Sequence, residues 1–581
     1  MRLPLIVALS CAMTCSVYAQ TQSGDTKPKS QHKGSAKSVF PNEIQELKDA
    51  VAAQQEQIKQ LQQQISTRDQ AIEQLQREVK GIPTPPPPAA ATDYSGDINA
   101  LQGDVKDLKA AEANTVETLT ETQKRIGELE TPNSIHYKGV TITPGGFLAG
   151  ETVWRQRATI GDINTPFNSI PFSAAGQARQ TEFYGSGRQS RLSLLIQGKT
   201  GEMNLTGYFE MDFLSAGTTS NNNQSNSYTM RQRQAFAQAA LNNGWTFTAG
   251  QMWSLVTETR KGLDNRTEAT PLQIDAQYVA GFSWARQYGF RVTKNFHNKW
   301  WAGFSIEDSQ AILTASGNPS NFLLGGPGTG GGLYNSLANY SSNLSPDYVG
   351  KLAFEPAPGQ HYEIFAVASI FRDRIYPHAT DKAPSAAGAF NNNAFGIGGG
   401  ANARFLFAKK RYEVAFHFLG GEGVGRYGSS GLPDLTIQPN GYLVTLPSYQ
   451  GLAEFDIHLP KWDWYFDGGG EYVGNYFLRD AAGKPVGYGS PFFSNAGCGT
   501  ETLPGSANGF VPGSLASCSG QTRAIIEGTV GFWYKPYNGP KGRLQMGMQY
   551  SYITRDAWRG IGGTPEGIDN MVFTSFRYYL P

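Results

Sequence analysis

Arg543-Leu544-Gln545-Met546-Gly547-Met548-Gln549-Tyr550-Ser551-Tyr552 is the stretch that decides the fold. Leu544, Met546, Met548, Tyr550 and Tyr552 are apolar or aromatic, and Arg543, Gln545, Gln549 and Ser551 between them are polar. Period two means a β-strand with one apolar and one polar face. Such a strand either covers a protein core or stands between lipid and water.

The same pattern recurs from about residue 145 onward, and the spacing predicts about sixteen strands: 146–157, 190–198, 203–213, 229–241, 245–253, 280–294, 300–307, 347–355, 361–371, 395–407, 411–421, 449–459, 463–475, 522–534, 542–553 and 571–580. The connections alternate in length. Lys199–Glu202, Asn242–Gly244, Asn295–Lys299, Pro356–Gln360, Ala408–Lys410, Pro460–Trp462 and Lys535–Lys541 are short, and the others are long and rich in Gly, Asn and Ser. A soluble sandwich has no reason to place every short turn at one end, whereas an outer-membrane barrel does. Trp245, Trp300, Trp301, Trp462, Trp464 and Trp533 fall at or beside the short turns, where an interfacial girdle is expected. Most polar faces carry full charges, which a packed core accepts only as pairs and a water-filled lumen accepts freely. The expectation is an all-β transmembrane protein, an antiparallel outer-membrane barrel of about sixteen strands over residues 140–581, preceded by an α-helical coiled coil.

The N-terminus fits export. Arg2, the apolar run Leu3–Met13 and Val17-Tyr18-Ala19 read as a signal peptide over residues 1–19. That run is short of the roughly 20 residues of a spanning helix. Ala8-Leu9-Ser10 before Cys11 is a poor lipidation signal. Residues 20–41 are polar and read as disordered. In 42–80, Ile44, Val51, Ile58, Ile65, Ile72 and Val79 recur every seventh residue, with Leu47, Gln54, Leu61, Arg68 and Leu75 at the d positions. This is a coiled-coil pattern, and it predicts self-association. Pro83 and Pro85–Pro88 stiffen a linker over 81–96. A weaker heptad run over 97–131 holds Ile98, Val105, Leu119 and Ile126 at a, with Leu101, Leu108 and Leu129 at d. The heptads leave dimer and trimer open.

Charge excludes other classes. The formal net charge is +1, which gives no argument for a nucleic-acid partner. No cofactor or metal motif is present. Gly423-Val424-Gly425-Arg426-Tyr427-Gly428 matches a dinucleotide fingerprint but sits in a loop with no helix after it, so no enzyme is expected. Cys498 and Cys518, the cysteines left after the signal peptide, share one loop of an exported chain, which predicts a disulfide.

A diffusion channel works through its constriction and the charges lining it. The connection 254–279, with Arg260, Lys261, Asp264, Arg266 and Glu268, is the candidate for an inward loop; an outer, solvated loop is the alternative. On the strands, Arg155, Arg157, Arg231, Arg233, Arg291, Arg404, Arg543 and Arg577 fall on polar faces, and acids gather later at Glu454, Asp456, Asp467 and Glu471. In a sixteen-strand ring, strand four lies opposite strand twelve. Arg231 and Arg233 would then face Glu454 and Asp456 across the pore, unless Asp212 pairs with them locally.

Gly250-Gln251-Met252-Trp253-Ser254, Asp347-Tyr348-Val349-Gly350-Lys351-Leu352 and Ser575-Phe576-Arg577-Tyr578-Tyr579-Leu580 resemble signatures of the DcaP-like trimeric outer-membrane porins, relatives of the phosphate-selective porins. The resemblance covers roughly residues 140–581. It implies a homotrimer in outer-membrane lipid, with its coiled coil in the periplasm, passing small anionic solutes such as dicarboxylates. The terminal Leu580-Pro581 departs from the usual aromatic ending, and there is no dense basic ladder of the phosphate-binding kind. Two other readings stand beside it. A sugar porin would use a lumenal track from Tyr208, Trp301, Phe365 and Tyr465, and a tether would grip peptidoglycan through the coiled coil.

Overall fold

The structure is a computed structural model. It describes helical residues within 56–110 and most of 134–581, omitting 160, 215–227, 276–277, 318, 320, 324–343, 381, 500 and 502–517. The expected signal peptide, the polar segment 20–41 and all of the Pro-rich linker except Gly96 lie outside the described residues, as do parts of both heptad runs. Residues 1–131 and 132–581 are separate units.

In the first unit, residues 66–77 and 96–107 are helical. Arg68 donates to Asp104 at 2.6 Å, and Lys109 lies 3.8 Å from Asp69. Ile72 and Val105, a positions of the two heptad runs, are buried within the one chain. The two runs are thus joined by ion pairs inside a single chain.

In the second unit, sixteen long strands close into an antiparallel barrel: β1 Val140–Arg155, β2 Arg191–Thr200, β3 Met203–Asp212, β4 Arg231–Leu241, β5 Trp245–Trp253, β6 Arg286–Phe296, β7 Trp300–Glu307, β8 Asp347–Phe354, β9 Gln360–Ile375, β10 Phe390–Phe407, β11 Tyr412–Glu422, β12 Pro447–His458, β13 Trp462–Val473, β14 Thr522–Gly539, β15 Gly542–Ala557 and β16 Glu566–Tyr579. Each pairs with its sequence neighbour, and β1 also pairs with β16, from Phe147 opposite Tyr579 to Arg155 opposite Met571. Closure leaves no sheet edge to satisfy, which is what a bilayer demands of strands.

Alternation sorts the side chains. On β15, Met546, Met548, Tyr550 and Tyr552 are exposed outward, while Gln545, Gln549 and Ser551 are buried inside. Leu192, Ile196, Phe209, Phe290, Phe304, Ile364, Phe416, Phe466 and Ile526 continue the outer apolar face around the wall. The outer aromatics meet near the short turns: Trp300 stacks on Phe354 at 4.0 Å and Phe407 on Tyr412 at 5.4 Å, and Trp462 lies tilted against Tyr534 at 4.6 Å. Two of the girdle tryptophans are placed differently from the expectation. Trp301 and Trp533 point inward and are buried, because an inward loop packs on them.

The sixth strand also differs, beginning at Arg286 instead of 280. The N–H groups of Ala280 and Gly281 donate to Glu527 on β14 and Glu471 on β13, at 2.8 and 3.0 Å, so this segment is bonded across the lumen and not into the β5–β6 ladder.

Candidate functional site: the lumen and its inward loop

The connection 254–285 leaves β5, enters the barrel and is held on both sides. At its start, Leu255 N–H donates to Glu307 at 2.8 Å and Thr259 N–H to Glu363 at 3.0 Å. Lys351 reaches the carbonyl of Thr257 at 2.7 Å and Glu363 at 2.5 Å. At its far end, Ile274 N–H donates to Gln549 at 2.6 Å, and Trp533 Nε1 and Arg577 donate to the carbonyls of Leu272 and Ile274 at 2.7 and 2.8 Å. Gln273 donates to Asp467 at 2.9 Å. A loop inside a barrel has backbone groups that the sheet cannot satisfy. Here the wall's acidic side chains accept its N–H groups.

Close approach sets two glycines. Gly281 has φ +86°, and a Cβ there would lie 2.0 Å from the carbonyl oxygen of Gly451. A Cβ at Gly469 on β13 would lie 1.9 Å from that of Ala280. Side chains at either position would push the loop off the wall.

Arg404 on β10 is the hub of the first anchor. It donates to Glu258 of the loop at 2.8 and 3.0 Å, to Glu454 at 3.1 Å, and to Glu413. His417 lies 3.3 Å from Glu258. At the second anchor, Asp275 accepts from the N–H and hydroxyl of Thr165, in the first long loop, at 2.9 and 2.8 Å. Burial pushes the Asp275 carboxyl up to about 8, outweighing those hydrogen bonds.

The residues singled out in the sequence take the following places. Arg231 and Arg233 do not face Glu454 and Asp456 unpaired. Arg231 pairs with Asp212 at 2.8 Å, and Arg233 with Glu210 at 2.5 Å and Asp212 at 2.8 Å. The local alternative is the observed one, because the β3–β4 register sets Asp212 opposite Arg231. Arg291 donates to Asn265 at 3.1 Å and to the Trp253 carbonyl. Arg266 lies over the Tyr208 ring at 4.8 Å, and its N–H donates to Glu268 at 3.2 Å. The backbone carbonyl of Asp264 accepts from the N–H and hydroxyl of Thr267 at 3.3 and 2.7 Å, closing a turn in the loop. Arg155 holds the first long loop through the carbonyls of Gly161, Asp162 and Asn164. Cys498 and Cys518 are disulfide-bonded. The anchors Glu258, Asp275, Glu307, Lys351, Glu363 and Glu527 were not singled out. Alternation could have put those on strands on the lumen face, but their partners lie too far off in sequence to be read.

Near the short-turn end, the lumen keeps a cavity of about 450 Å³, lined by Arg191, Arg233, Arg260, Arg543 and Arg577 against Glu210 and Asp463. One row crosses four neighbouring strands in register: Arg191 opposite Phe147, Phe147 opposite Tyr579, and Tyr579 opposite Arg543. The end guanidiniums have spare donors. Arg191 reaches Glu210 only at 3.8 Å, and Arg543 stacks over Tyr579 at 4.0 Å. The Nε of each is buried without an acceptor.

No protein-family model and no curated protein matches this chain in sequence. Solved structures do. The outer membrane channel DcaP of Acinetobacter baumannii aligns over 77% of this chain and 99% of its own, with TM-score 0.51 and 14% identity. An anion-selective porin from Comamonas acidovorans aligns over 76% and 100% at TM-score 0.39 and 10% identity. OmpF of Salmonella typhi aligns over 77% and 100%, also at 0.39 and 10%. Only the first is near enough to carry the comparison. This chain has the sixteen-stranded barrel fold of an outer-membrane channel.

Proposed function

We propose that the protein is an outer-membrane channel for passive diffusion of small hydrophilic solutes, favouring small dianions of the dicarboxylate class. The row Arg191–Phe147–Tyr579–Arg543 carries the reading. Its two arginines sit three interstrand steps apart, roughly 14 Å at the backbone. Their side chains extend from the wall toward one cavity and keep donors free. Guanidinium forks match carboxylates, and the aromatic rings between them suit a carbon skeleton. Arg233, Arg260 and Arg577 line the same cavity but are paired with Glu210, Glu413 and Glu151.

The outer apolar band and the aromatic stacks at the short-turn end support placement in an outer membrane, with the short turns facing the periplasm. A homotrimer, as the DcaP-like resemblance implies, and cell-wall contact through the N-terminal heptads belong to the same proposal. Trp301, Phe365 and Tyr465 are buried beneath inward loops, which disfavours a sugar track.

Reconstitution of the purified chain in a planar bilayer tests the channel. Discrete conductance steps that succinate blocks or reduces at millimolar concentration are expected. Absence of any conductance from folded, heat-modifiable protein would end the channel reading.

A further inference from the structure

We propose that Glu413, Asp456 and His458 form a site for a divalent transition-metal cation of the zinc type at the short-turn rim of the lumen. One potential ligand atom from each lies within 4.8 Å of the other two. Glu413 on β11 stands directly opposite Asp456 on β12, both facing inward and both only 2% exposed. Like charges directly opposite on neighbouring strands repel, and burial adds the cost of lost hydration. A positive charge between them would remove both penalties.

The nearby arginines supply it to Glu413 and not to Asp456. Arg260 and Arg404 both donate to Oε1 of Glu413, and the remaining bonds of Arg404 go to Glu258 and Glu454. Neither engages Asp456, whose Oδ1 is buried with no hydrogen-bond partner.

His458 is prepared as a ligand. Its Nδ1 lies 3.1 Å from Asp463, which Lys535 holds at 2.9 Å. Nε2 lies 3.3 Å from Oε2 of Glu413, and a metal bound there would take the place of the proton that the two share, while Nδ1 stays bonded to Asp463. A carboxylate behind a ligating histidine fixes the tautomer and ring orientation in metal sites. One imidazole with two carboxylates suits borderline dications, and three protein ligands leave a position for water or a solute carboxylate. His458 is 29% exposed, so an ion has a path in. No sequence motif announces the site, because Glu413 and His458 are 45 residues apart and meet only through strand pairing.

The test uses the full-length protein in detergent, stripped with a chelator and titrated with Zn²⁺ by calorimetry. Co²⁺ absorption gives a second readout, and heat-modifiable migration confirms that each variant is folded. The expected result is one ion per chain, with affinity reduced at least about tenfold in Asp456→Asn and in His458→Gln. His297→Gln, on an exposed turn outside the cluster, should bind as the parent does. His458→Gln alone decides the matter should Asp456→Asn not fold, since its side chain is partly exposed. No binding by the parent, or undiminished binding and an unchanged Co²⁺ spectrum in folded His458→Gln, would overturn the site.

Discussion

The two flanks of the lumen are both charged, and they use charge differently. On β13 and β14, Asp467, Glu471 and Glu527 accept hydrogen bonds from Gln273, Gly281 and Ala280 of the inward loop. On β2, β1, β16 and β15, the row from Arg191 to Arg543 holds no loop backbone, and both of its arginines line the open cavity. A wall charge that holds a loop is structural, and its removal should first cost stability. A wall charge on the open cavity is placed to meet a solute under the proposed function, and its removal should then change selectivity while the barrel stays folded.

Removing the hub of the first anchor should produce the largest effect. Arg404→Met leaves Glu258, Glu413 and Glu454 without their shared cation, and breaking such a buried pair costs about 3–5 kcal/mol. The measurement is the temperature at which the folded band shifts on an unheated gel, which should fall sharply. An unchanged temperature would mean that these acids are free pore charges.

A smaller effect, about 1–3 kcal/mol, is expected from Gly469→Ala, which overpacks the contact with the Ala280 carbonyl. The barrel should survive and the inward loop should move, so single-channel conductance should change while the unfolding temperature falls less than in Arg404→Met.

Asp275 gives a pH signature. Its folded value, about 8, lies above the usual carboxyl value of 3.8, so the folded chain binds this proton where the unfolded chain has released it. The stabilisation is complete below about pH 4 and declines as pH rises toward about 8. Thermal unfolding of the parent relative to Asp275→Asn should show a difference that shifts against the parent across that window and levels off above it. A pH-independent difference would mean that Asp275 is ionised in the folded protein.

The strand pattern was legible because lipid outside and polar lumen inside impose strict alternation, and all sixteen strands lie where that alternation placed them. Their ends were less so. Strand six starts at Arg286 and not at 280, because Ala280 and Phe282 are buried where the loop crosses the lumen. Tryptophan beside a short turn did not say which way the ring points: Trp300 is outward and Trp301, one residue on, is inward. Pairing was the least legible feature. Glu258 and Arg404 are 146 residues apart, and no local pattern in the chain joins them. Arg231 and Asp212 are only 19 apart on adjacent strands, and there the sequence already offered local pairing as an alternative.

The central claim is that Arg191 and Arg543, rather than the loop-holding charges, set the preference for anions. Reversal potential in a planar bilayer under a potassium chloride gradient tests it most directly, with the parent beside Arg191→Gln/Arg543→Gln. The parent should show an anion-favouring potential, and the double variant should move toward zero or to the cation side while keeping its folded gel migration. A cation-selective parent, or a folded double variant with the parent's potential, would contradict the account.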